Sequence, residues 1–140
     1  MKRIHVVAAV IISPDRQQVF ISRRAEHLHQ GGFWEFPGGK LEAGESPESA
    51  LARELFEELD IRIETAQPYM QIEHDYSDKQ VFLDIWQVNR FTGTARGKEG
   101  QECRWVDIAE LLADKPERLF DFPAANRPIL QRLSEQGICQ

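Results

Sequence analysis

Sulfur is scarce in this chain: Cys103 and Cys139 are its only cysteines, they lie far apart, and neither sits in a CxxC spacing. That excludes a disulfide-stapled scaffold and a cysteine zinc site, and the two read as ordinary thiols of a reducing compartment. Runs of one charge are also missing. The 17 basic residues are interspersed with 23 acidic ones for a net charge of −6, so no basic stripe exists to hold a DNA or RNA duplex. No apolar run is long enough to span a membrane. Lys2 and Arg3 precede an apolar stretch, as in a secretory leader, but His5 interrupts it and it ends in a turn at Ser13-Pro14-Asp15 with no small-residue cleavage pattern. It reads as a buried first strand, and the chain is expected in the cytoplasm. Repeats and low-complexity tracts are absent, and 41% apolar with 29% charged residues over 140 positions is the balance of one globular domain.

What is present alternates between strand and helix patterns. Residues 3–12 form a nearly continuous β-branched run, the mark of a strand buried on both faces, and a turn leads to a second strand at 19–24 that can pair with it as a hairpin. Residues 25–40 mix Gly, Pro and aromatics and read as irregular chain with a short strand at 34–36, the kind of segment where binding loops sit. Strands are expected at 61–65, 69–76 and 79–89, the last two joined by a tight turn at Ser77-Asp78. A polar, Gly-rich loop follows, then a short strand at 103–106, a short helix at 108–112 and an amphipathic helix at 126–135, with Pro123 and Pro128 near its start. Trp86 and Trp105 read as core; Phe33, Trp34 and Phe36 divide between core packing and stacking on a base. His27 and His29, alternate residues of a loop, read as solvent-facing, not as a metal pair.

Between Gly38 and Asp60 the chain runs GGKLEAGESPESALARELFEELD. Ser46 has the chemistry of an N-cap, Pro47 suits the first helical position, and Ser49 stands where a capping box would carry Glu or Gln. The helix should reach about Leu59. At about 100° per residue, Leu51, Ala52, Leu55, Phe56 and Leu59 fall on one side, and Glu54, Glu57 and Glu58 on an arc of roughly 100° on the other. Like charges at these spacings repel by about 0.2–0.5 kcal/mol a pair, so the acidic face needs either water or a cation. Both readings stay open on the residues alone. Mg²⁺ would suit such oxygens and fill its remaining positions with water and phosphate oxygens.

The spacing Gly39-x5-Glu45-x7-Arg53-Glu54-Leu55-x-Glu57-Glu58-x-Asp60-Ile61 resembles the Nudix box, G-x5-E-x7-R-E-U-x-E-E-x-G-U with U aliphatic, at every fixed position but one. The exception is Asp60, where the family has glycine at the helix end. A left-handed residue is expected there, which Asp tolerates at some cost in stability, and its place past the last turn should face it away from the acidic cluster. The likeness extends through FISRRA, WEFPGGK, GKEGQ and FPAANRPIL, which look like segments of the MutT group of bacterial Nudix hydrolases, enzymes of oxidised guanine nucleotides.

The resemblance implies an α/β Nudix fold, a mixed β-sheet sandwiched between α-helices, with residues 1–140 as a single domain. It implies Mg²⁺-dependent hydrolysis of a nucleoside triphosphate, 8-oxo-dGTP, to the monophosphate and pyrophosphate, with Mn²⁺ an alternative ion. Glu54, Glu57 and Glu58 match metal ligands, with the main-chain oxygen of Gly38 as a further one, and Arg53 matches a residue that orients the cluster by pairing with a carboxylate. Glu99 matches a glutamate that completes the site or assists water; Glu54 is the other candidate base. Arg24 and His29 match nucleotide contacts, Arg24 being able to reach the phosphates. Glu35, Phe36, Pro37 and Gly38 match the lining of the nucleotide site, and Asn126 matches an Asn that hydrogen-bonds the purine. An amide offers both donor and acceptor to the O6 and N7 edge, whose N7 becomes a donor on 8-oxidation; a loop Asn before a helix can equally be a cap. The expected partner is a free nucleotide, with no duplex and no membrane, and the expected state a monomer. Hydrolysis of a modified pyrimidine triphosphate and a non-enzymatic nucleotide-binding module are the alternatives.

Overall fold

The computed structural model describes residues 3–24, 32–111, 122 and 124–135. β1 (Arg3–Ile12) is central, and its side chains alternate between two cores. Val7, Ala9 and Ile11 enter one and Ala8, Val10 and Ile12 the other, none more than 7% exposed. Burial on both faces is why the run shows no polar alternation. β1 pairs in parallel with β6 (Gln80–Thr92), from Arg3 opposite Gln80 to Ile11 opposite Val88. Its other edge is shared, antiparallel, between β2 (Gln18–Arg23) near Ile11 and β4 (Gly38–Lys40) near Val7. β3 (Trp34–Glu35) and β7 (Cys103–Asp107) flank β2, and β5 (Arg62–Asp75) forms the edge beyond β6.

α1 (Pro47–Leu59) covers one face of this sheet with Ala50, Leu51, Leu55 and Leu59, packed in one core with Val7, Ile11, Trp86 and Val88. Each fully buried leucine contributes about 2 kcal/mol by removal from water. The opposite face is covered by α2 (Ile108–Leu111) and by α3 (Arg127–Glu135), through Ile108, Ile129 and Leu133 against Val10, Ile21 and Ile85. The mixed sheet between helices is therefore the expected one. Ser46 caps α1 as its chemistry suggests, its Oγ accepting the Ser49 N–H at 3.2 Å.

Four details differ from the expectations. Gly38–Lys40 is a strand, not irregular chain, because lateral pairing to β1 needs no β-forming side chain. The two strands expected at 61–65 and 69–76 are one continuous β5, where register shifts between Ile63 and Met70 absorb Pro68 on a sheet edge. On α1, Ala52 and Phe56 are exposed, so the packed stripe is narrower than the helical projection suggested. The C-terminal helix begins at Arg127, after a 3₁₀ turn over Ala124–Asn126. The β5–β6 hairpin closes as expected around Ser77-Asp78, with the Tyr76 N–H bonded to the Lys79 carbonyl at 2.8 Å.

Candidate active site

The acidic helix meets the sheet at two glycines. β4 approaches β1 so closely that a Cβ on Gly38 would collide with the Val7 carbonyl, and a Cβ on Gly39 would lie 2.6 Å from both carboxylate oxygens of Glu54. Lacking a side chain, Gly39 leaves the space that the Glu54 carboxylate occupies. Glu54 and Glu58 sit half-buried at the border of the packed stripe, whereas Glu57 is exposed. Arg53 gathers the acids: Nε and Nη2 hold Glu45 at 2.7 and 2.9 Å, Nη1 holds Glu54 at 2.9 Å and reaches Glu57 at 3.5 Å, and Nη2 also donates to the Lys40 carbonyl. The fork matches two carboxylates at once, which a lysine cannot do. Hydrogen bonds from Arg53 hold the Glu45 carboxyl down at about 2.

Glu58 has the opposite environment. Burial, followed by the charges of Glu54, Glu35, Glu99 and Glu57, pushes its carboxyl up to about 8. Glu54 is also raised, by burial first, with Arg53 opposing and Glu57 and Glu99 adding. Glu99 thus belongs to the same cluster, although it lies in the turn before β7. Gln101 ties it there: its Oε1 accepts the Glu99 N–H and its Nε2 donates to the Glu58 carbonyl, both at 3.0 Å. Gln101 lies in the GKEGQ segment, but no role was read for it from sequence. Burial and the nearby Glu58 and Glu102 push the Cys103 thiol up to about 11, so it stays protonated, the ordinary thiol expected; Cys139 lies outside the described residues.

A cleft of about 120 Å³ opens beside the cluster, lined on its polar side by Arg24, Glu35, Tyr76, Lys79 and Asn126 and on its apolar side by Phe36, Leu83 and Ile85, among others. Arg24, Glu35, Phe36 and Asn126 therefore come together as expected. Arg24 is turned toward Glu35, Nη1 to Oε2 at 3.0 Å, and so lines the cleft. Burial raises Glu35, against the pull of Arg24. Since Glu35 also acts on Glu58, it links the cleft to the acidic cluster. Pro37 is buried and its carbonyl accepts the Ala9 N–H at 2.8 Å, so it holds the crossing from β3 to β4. Trp34 and Phe36 are both core residues, and Phe36 also faces the cleft. Tyr76 and Lys79, at the hairpin tip, were missed; a turn gives no sequence signal of what it overhangs. His29 lies outside the described residues.

Whether this donor set suits a divalent cation follows from its chemistry. It offers only oxygens, from Glu54, Glu57, Glu58 and Glu99, and the carboxylates raise one another. A hard cation reverses that repulsion. Among the described residues no three acidic, imidazole or thiol groups already converge as a ligand set, because Glu54 and Glu57 are drawn toward Arg53. The residues fit the ion; the side chains would turn to meet it.

A glutamate helix laid on a mixed sheet, clamped by one arginine and opening on a cleft, defines a class of metal-dependent hydrolases of linked phosphates. The chain belongs to the Nudix family: the NUDIX domain model matches residues 7–132. Nudix hydrolases generally need a divalent metal. Within the family, the 8-oxo-dGTP diphosphatase of Escherichia coli (strain K12) is 39% identical over 133 residues, covering 95% of this chain and 98% of that protein. The CTP pyrophosphohydrolase of the same organism is 37% identical over 112 residues, covering 80% and 82%. A structure from a study of MutT from Aliivibrio salmonicida and Vibrio cholerae superposes with a TM-score of 0.81 at 41% identity, covering 96% of this chain and 99% of that one.

Proposed function

We propose that the chain hydrolyses 8-oxo-dGTP to 8-oxo-dGMP and pyrophosphate with Mg²⁺, and so keeps oxidised guanine out of DNA. The observation that carries this reading is the continuity of the two halves of the site. Glu35 and Phe36 line the cleft, and Gly39, three residues beyond Phe36, lies against the Glu54 carboxylate, so a nucleotide in the cleft would have its phosphates beside the glutamates. The relatives named for 8-oxo-dGTP and the FPAAN segment support oxidised guanine as the base.

In this reading Asn126 faces the purine edge with one donor and one acceptor, Phe36 supplies an apolar wall, and Arg24 and Glu35 border the base and sugar. Glu54, Glu57, Glu58, Glu99 and the Gly38 carbonyl would hold the ion, and Arg53 orients Glu54 and Glu57. When bound, the ion neutralises the phosphate oxygens and the charge that develops on them. Glu54 or Glu99 takes the proton of the water that attacks the β-phosphorus. Mn²⁺ suits an all-oxygen site and serves as an alternative ion. The working form is a cytoplasmic monomer acting on free nucleotides, with His29 as a further contact. The similarity to a CTP pyrophosphohydrolase supports a second reading, hydrolysis of a pyrimidine triphosphate, which Asn126 argues against.

Pyrophosphate release from 8-oxo-dGTP, dGTP, CTP and 5-methyl-dCTP at sub-saturating concentration separates the two. A large excess of kcat/KM for 8-oxo-dGTP that N126A abolishes supports the first. A preference for pyrimidines refutes it and keeps the hydrolase chemistry.

A further inference from the structure

Asp60 interrupts the Nudix pattern, and its surroundings give it more to do than end a helix. Its backbone is left-handed (φ 62°, ψ 35°), the conformation a glycine would take without strain. From there the segment after β6 doubles back over the end of α1. A Cβ on Gly93 would lie 2.8 Å from the Asp60 carbonyl, the Arg96 N–H donates to the Leu59 carbonyl at 3.1 Å, and the Lys98 N–H donates to the Glu58 carbonyl at 2.9 Å. The last carbonyls of a helix, which have no partner inside it, are thus satisfied by the segment that carries Glu99. The Asp60 carboxylate fastens the outer side. Oδ2 accepts from Arg96 Nε and Nη2 at 3.3 and 3.2 Å, and Lys98 Nζ lies 3.8 Å from Oδ1. Lys98 Nζ also stands 4.7 Å from the ring centroid of Phe56, the one large apolar side chain left exposed among the described residues.

We propose that Asp60 is a positioning residue: by holding Arg96 and Lys98 it seats the turn at 97–100 against the end of α1 and sets Glu99 beside Glu58. The proposal rests on the metal role assigned to Glu99. A glycine at this position would adopt the same backbone but offer no carboxylate to either cation, so the turn would be tethered only by Gln101, main-chain bonds and the contact of Lys98 with Phe56. Phe56, exposed on the outward face of α1, carries both Lys98 and Arg62 over its ring, at 4.7 and 4.6 Å from the centroid.

The test uses D60G and D60N, both compatible with the left-handed backbone, together with E99Q and the double variant D60G/E99Q. Mn²⁺ binding to the nucleotide-free protein and amide exchange of Arg96 and Lys98 are the readouts, neither of which needs turnover. An exposed ion pair of this kind corresponds to about a two- to fivefold effect. D60G should weaken Mn²⁺ by about that factor and speed exchange at Arg96 and Lys98, D60N should behave likewise, and in the E99Q background D60G should change Mn²⁺ affinity no further. Equal losses with and without Glu99 would show that Asp60 acts only as a distant negative charge, and unchanged exchange in D60G would show that it does not seat the turn; either overturns the proposal while leaving the hydrolase reading intact. If E99Q itself leaves Mn²⁺ affinity unchanged, the role of Glu99 fails and the proposal with it.

Discussion

Glu58→Gln should make the metal-free protein more stable and the metal-loaded protein inactive. Glu58 titrates near 8 in the fold against 4.5 for a free glutamate, chiefly through burial and then through four neighbouring carboxylates. The native state therefore binds more protons than the unfolded chain between those two values, and stability falls as pH rises through that window. At pH 7 the interval above 4.5, at about 1.4 kcal/mol per pH unit, sets a ceiling of about 3.5 kcal/mol. Partial solvent access and salt screening reduce this to about 2 kcal/mol. Glutamine keeps the shape without the charge, so E58Q should melt about 7 °C above the parent at pH 7 in EDTA. The difference should shrink toward pH 5 and widen toward pH 8. Added Mg²⁺ should reverse the order, because the parent, with its full ligand set, gains more from binding it. Thermal melts across pH 5–8.5, with EDTA and then with Mg²⁺, measure all of this. A variant that melts at or below the parent temperature in EDTA, with the same pH slope, would refute the claim that Glu58 is held in place against its own charge.

Two further changes probe neighbouring parts of the site. G39A places a methyl 2.6 Å from both Glu54 oxygens and must displace that carboxylate; kcat should fall about a hundredfold while KM changes little, and steady-state kinetics with an unaltered kcat would show that the position of Glu54 is unimportant. R53K cannot reproduce the fork to Glu45 and Glu54. Since Glu45 is held at about 2, the stability it shares with Arg53 is fully present above 4.5 and lost as pH falls toward 2. Urea midpoints of parent and R53K should therefore differ at pH 7 and converge by about pH 2, whereas a gap that stays constant would assign the loss to packing.

The parts of the site that were legible in the sequence are those carried by local spacing. Ser46 and Pro47 start α1 where their chemistry says, and the glutamates follow from helical geometry and from the box itself. Asp60 takes the left-handed backbone expected of it, although the expectation of a mere cost overlooked Arg96 and Lys98, 36 and 38 residues further on. What escaped the sequence depends on contacts between distant segments. β4 exists because β1 offers it an edge, β5 runs through Pro68 because an edge tolerates a bulge, and Lys79 reaches the cleft only because a long hairpin carries it there. The projection of α1 placed Phe56 inside because it counts hydrophobicity and angle, and it cannot see that the sheet reaches only the stripe of Ala50, Leu51, Leu55 and Leu59.

The β5–β6 hairpin puts the two tasks of the molecule at opposite ends of one ribbon. Its base, where Arg62 faces Thr92, joins α1 on one strand and the Glu99-bearing segment on the other, while its tip at Tyr76 and Lys79 overhangs the cleft. Lengthening both strands by two residues keeps every side chain on its own face and carries the tip outward by about 7 Å, with the base untouched. Pocket shape can therefore drift between descendants by matched insertions in this ribbon without disturbing hydrolysis. That is a structural route by which one scaffold can come to serve different nucleotides.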